Sequence, residues 1–258
     1  YFREPSNALS NIGFILCGIF MVWILSREEV TGQNFFIGLT SISTLYASAS
    51  IFLGPGSLMM HGTHTVWGAW IDNVSMVAYI IIPWLLNFKI LNGWTENQFL
   101  KAYFIILFLF SFFSWFYGSE LGIGFSLFGV SIGLWVISEF LYNFYSNSMR
   151  FYSGFVGYLV LWIFGTSPYD VTLNIEEFWW TLLFWLPGLI ATQRPESKRK
   201  YNPWFFAGCF FYILAFTIWL QGNLMINPDT EWCYPDSIIQ PHACLLYTSD
   251  AADDTTGV

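Results

Sequence analysis

The chain has 258 residues, 55% of them hydrophobic and only 10% charged. A soluble domain usually carries about 25% charged residues, so this composition excludes a water-facing surface over most of the molecule. The formal charge of −8 sits largely in loops and in the last residues, and it offers no basic surface to nucleic acid. Apolar runs of about 20 residues match the hydrocarbon thickness of a bilayer. In chain order they fall at Asn7–Leu25, Phe35–Gly54, Val66–Leu86, Phe99–Tyr117, Leu121–Phe144, Phe151–Thr166, Phe178–Gln193 and Pro203–Leu220. The expected fold is all-α, a polytopic transmembrane helix bundle of about 7–8 spans. The first run lacks the basic flank of a cleavable signal. Gly54, Pro55 and Gly56 are expected to interrupt the second run ahead of a Ser57–His61 turn. The sixth run is short, and a re-entrant segment is its other reading. Arg194–Asn202 is a basic connection, and Asn227–Gln240 is a polar loop with Pro228 and Pro235. Four cysteines make no disulfide framework, because Cys17 and Cys209 lie within apolar runs, where packing accounts for them. From Cys244 the chain turns small, polar and acidic, and this stretch looks like translated adapter sequence from a sequencing library. The expected division is therefore a transmembrane domain over 1–243 and a disordered, non-native tail over 244–258. Without Asp250, Asp253 and Asp254 the formal charge becomes about −5.

Eight crossings would sort the loops onto two sides. The side of the N-terminus receives Arg3, the His61–Thr65 turn, Glu120, the Ser167–Glu177 loop and everything after Gln221. The other side receives Arg27, Lys89, Lys101, Arg150, Arg194, Lys198, Arg199 and Lys200, eight of the nine basic residues. Cytoplasmic loops are enriched in Lys and Arg, so the N-terminal side is expected to be non-cytoplasmic.

Ionisable groups at membrane depth are costly and mark function by default. Asp72, six residues into the third run, is the clearest. Ser57, His61 and His64 precede it, and Glu4 and His242 fall on the same side. All three histidines of the chain lie on that side. Imidazoles suit zinc, and a catalytic zinc takes three protein ligands plus a water. A carboxylate nearby can take a proton, and a hydroxyl can steady a developing oxyanion. Each residue also has a plainer reading. The histidines are ordinary in a membrane-edge turn, Ser57 can cap a helix, and Asp72 can partner Asn73, Ser75 or a neighbouring helix. Glu4 can favour a helix N-terminus, and Asn7, Ser10 and Asn11 can bond between helices. On these grounds a metal hydrolase and a transport site using Asp72 for a proton or cation are close competitors.

Three blocks together resemble the alkaline ceramidase family, part of the seven-helix superfamily that includes the adiponectin receptors. Glu4-Pro5-Ser6-Asn7-Ala8-Leu9-Ser10-Asn11 is similar to the family's E-x-x-N-T/A-x-S-N. Gly56-Ser57, His61 and Thr63, then Asp72 eleven residues after His61 and Met76 beyond it, form the second block. Gln240-Pro241-His242-Ala243 resembles the start of Q-x-H-A-x-W-H. The resemblance implies a hydrolase that cleaves a lipid amide such as ceramide into a sphingoid base and a fatty acid. It implies zinc held by His61 and His242, assistance from Ser57, and Asp72 as general base or water-orienting group. Glu4 would be an acidic ligand of a calcium site. A membrane lipid is the implied partner, and a bacterial inner membrane the implied setting. The same scaffold also serves hydrolases or receptors acting on other lipids, so the lipid stays open. Two departures stand out. The family's third zinc histidine falls at Leu246 here, and the acidic segment expected before Glu4 is missing, as is the final helix. The chain is accordingly expected to be truncated at both ends, to bind zinc poorly and to be inactive. The family does not use His64 as a ligand, although it lies three residues from His61.

Overall fold

The computed structural model describes residues 5–30, 35–121, 123–163, 165–196 and, further on, 203, 205–211 and 214. Among these every regular element is a helix. They run as α1 (Pro5–Ser10), α2 (Ile12–Leu25), α3 (Ser41–Thr63), α4 (Val66–Asn92), α5 (Glu96–Leu121), α6 (Ile123–Phe144), α7 (Asn147–Tyr152), α8 (Gly154–Ile163), α9 (Pro168–Leu173), a 3-10 helix (Trp179–Trp185) and α10 (Leu186–Ile190). Among the described residues three stretches are long and apolar enough to cross a membrane: Ala8–Leu25, Val66–Asn92 and Glu96–Gly118. The first joins α1 to α2 through Asn11, whose backbone stays helical. These helices are compatible with a membrane protein. α3 and α6, with 23 and 22 residues, also reach the length of a crossing. Much of Pro203–Leu220 lies outside the described residues, as does everything after it.

α4 is the central helix. Val77, Ile81, Ile82, Leu85 and Phe88 are buried against α3, α5 and α6. Lipid is as apolar as leucine, so close packing and interhelical hydrogen bonds, not burial alone, hold such helices together. One set of bonds joins α4 to α6, where Asn87 Nδ2 donates to Ser138 Oγ and to Glu139 Oε2, both at 3.0 Å. By contrast α2 and α5 turn large apolar side chains outward, Leu16 and Phe108 among them.

Two expectations about the spans change. The second run is displaced along the chain, because α3 begins at Ser41 and not near Phe35. Gly38, with φ of 74°, turns the chain, and Thr40 caps α3 reciprocally with Ser43, which fixes the start. Phe178–Gln193 is not one long helix. Pro187 stands in the first turn of α10, where its missing N–H costs nothing and a new helix can start. Phe184 from the 3-10 helix fills the space left by Gly133 and Gly157, and Arg150 donates to the carbonyls of Gly188 and Leu189.

Candidate active site

The site is built on the hairpin between α3 and α4. Only His64 and Thr65 join the two helices. His64 closes α3 in the left-handed conformation, its N–H bonded to Met60 O at 2.9 Å. Thr65 opens α4, its hydroxyl accepting from the Gly68 N–H. Thr63 donates back to Met59 O at 2.6 Å and meets the Thr65 hydroxyl. A Cβ on Gly68 would lie 2.8 Å from Met59 O, so only glycine permits so tight an approach. The hairpin sets the last two turns of α3 against the first two turns of α4.

Ser57 and His61 lie one turn apart on one face of α3. Asp72 lies in the second turn of α4. Ser57 donates a hydrogen bond to the Asp72 carboxylate, and His61 stands close enough to act on it electrostatically. Asp72 is half-buried, and its Oδ1 has no hydrogen-bond partner among the described residues. The neighbours that could have absorbed the carboxylate turn elsewhere. Asn73 donates to Ala69 O, and Ser75 donates to the backbone carbonyl of Asp72.

Gly54-Pro55-Gly56 does not interrupt α3, contrary to expectation. The helix runs through Pro55, whose ring faces outward, and Ser57 and His61 sit on helix and not in a turn. The glycines make room for neighbours. A Cβ on Gly54 would lie 2.5 Å from Ile15 Cγ1 and 2.8 Å from Asn11 O, and one on Gly56 would strike Ser75. Ser57 therefore caps nothing; Thr40 and Thr65 do the capping. Because α3 ends at Thr63, His64 does not continue the helical face that carries His61. Glu4 and His242 lie outside the described residues. Asn11 is buried between α2 and α3, at 6% exposure.

Glu139 went unremarked in the sequence, although the rule that singled out Asp72 applies to any carboxylate in an apolar run. It sits near the opposite end of α4 from Asp72, within the Asn87 and Asn143 bonds. An apolar groove of about 430 Å³ between α4 and α5 includes Trp67, Trp70, Phe108 and Trp115. Trp70 precedes Asp72 by two residues, about 200° around the helix, so this groove opens away from the carboxylate.

The family model described as Ceramidase matches residues 1–247. The chain belongs to the Ceramidase family. The match takes in every residue singled out above, from Glu4 to His242. Searches of curated proteins and of solved structures give no match. Membership makes the chain a ceramidase-family protein, and a ceramidase acts on a lipid. Among the described residues no three His, Cys, Asp or Glu side chains stand together as a metal-binding group. The His61 imidazole is a donor of the kind zinc takes, and the carboxylate beside it has an unpartnered oxygen that can accept a proton.

Proposed function

We propose that this ceramidase-family protein is a zinc-dependent hydrolase of lipid amides of the ceramide type. The observation that supports it is the convergence of Ser57, His61 and Asp72 across one two-residue hairpin. His61 and His242 would hold the zinc, which supplies a more acidic water at neutral pH. Asp72 takes the proton of the water whose oxygen attacks the amide carbonyl carbon. As the C–N bond breaks, Asp72 returns that proton to the departing amine, leaving a free fatty acid and a sphingoid base. The Ser57 hydroxyl holds the carboxylate in place, and a hydroxyl there can donate to the carbonyl oxygen as charge gathers on it. Glu4 is the proposed calcium ligand, and no step depends on it. The proposed setting is a bacterial inner membrane, and the Lys and Arg bias of the loops supports placing this site toward the non-cytoplasmic face.

Two substitutions test the reading in a restored, full-length protein. In Asp72→Asn, release of fatty acid from ceramide is expected to fall at least about 100-fold, with zinc content by mass spectrometry largely kept. His61→Ala is expected to lose both. Full activity in either variant removes that residue from the mechanism.

A further inference from the structure

Asn11 carries a buried donor, its Nδ2, that pairs with no acceptor among the described residues. The residue is 6% exposed. Its side chain does not cap α2. A buried donor left unpaired is expensive, so the fold tolerates here a cost that a bound acceptor would remove.

Its place in the packing says which acceptor. α2 and α3 run antiparallel: Gly18 abuts Ala47 and Ile51, while Asn11 and Ile15 abut Gly54. On α3, Tyr46, Ser50, Ser57 and His61 recur at helical spacing and share a face. That face looks into the junction with α2 and α4. Tyr46 meets the Tyr79 hydroxyl of α4, Ser50 donates to Phe14 O of α2 at 3.2 Å, and Ser57 donates to Asp72 of α4. Asn11 is one turn from Phe14 toward the site, at the level of Gly54, and Gly54 is one turn from Ser57. Asn11 is therefore on the wall that α2 contributes, about one helical turn from the level of Ser57.

We propose that Asn11 is a substrate-binding residue, its Nδ2 N–H donating to the amide carbonyl oxygen of the bound lipid from the α2 wall of the site. The assignment rests on the reading of this site as a lipid amide hydrolase. It gives α2 a part in recognition and not only in packing, and it makes the amide, not the acyl chain, the feature that α2 reads.

The test uses the protein in phosphatidylcholine nanodiscs, with a fluorescent short-chain ceramide and a diacylglycerol of the same chains as probes. Asn11→Leu keeps the volume and removes the unpaired donor. Its melting temperature should hold or rise, while ceramide affinity falls on the order of tenfold. Asn11→Asp, which removes the donor but keeps a polar group, should show the same loss. Two results overturn the proposal. One is undiminished ceramide binding in folded Asn11→Leu. The other is a lowered melting temperature in both variants, which would make Asn11 a packing residue. A wild-type protein that does not prefer ceramide to the diacylglycerol would remove the functional reading itself. Preference in the wild type that survives Asn11→Leu would remove only the role of Asn11.

Discussion

His64 is the one non-glycine residue with positive φ among the described residues, at 49°. An L-residue pays about 1 kcal/mol or more for that conformation, and glycine does not. His64→Gly is therefore expected to leave zinc content unchanged and to hold or raise the melting temperature. A loss of bound zinc would instead restore His64 as a ligand. The spacing of three from His61 made it look available in the sequence, and the left-handed cap is what takes it off that face. Asp72 was legible because an isolated carboxylate in an apolar run is a violation that composition exposes. Glu139 carries the same signal. Asn11 stood out as a polar group between helices and as the end of the first block, but its unpaired donor did not, since that is a property of surroundings and not of spacing.

At the scale of elements, α3 and α4 depend on contact too close for side chains. A Cβ on Gly56 would strike the Ser75 hydroxyl and lie 3.1 Å from the Ile71 carbonyl, and backbone cannot swing aside. Gly56→Ala should cost about 1–3 kcal/mol of stability as an overpacked contact, read by thermal unfolding in detergent. Hydrolysis should fall further than stability implies, because spreading the hairpin draws Ser57 from Asp72, and misplacement near 1 Å can cost about 100-fold. Unchanged activity and stability would show that the helices do not need this approach. In sequence Gly-Pro-Gly looks like a break, because glycine needed for space and glycine needed for a turn look alike. The helix survives because the proline faces outward and its lost hydrogen bond is one among many. Phe178–Gln193 failed for another reason. A short run of tryptophan and leucine has no periodicity sharp enough to separate a long helix from a 3-10 turn followed by a new start.

Over the whole molecule, the helical class and the long crossings followed from scarce charge and from run length, two quantities that need no tertiary information. The loop charges carry the orientation. Cysteines introduced singly at Thr65 and Glu96, either end of α4 and its following turn, should react with a membrane-impermeant maleimide from opposite faces. Thr65→Cys should label from the non-cytoplasmic face in intact cells, above the background of the native cysteines. Labelling of both from one face would mean that α4 does not cross. The two-residue link between α3 and α4 also bears on how the protein is made. Ser57 and Asp72 leave the ribosome almost together, whereas His242, the proposed second zinc ligand, follows about 170 residues later. At about 5–20 residues per second that is a delay of roughly 10–35 s. A hairpin this short can set the carboxylate against its hydroxyl during that delay, so half of the proposed catalytic apparatus is expected to be in register before translation supplies the rest.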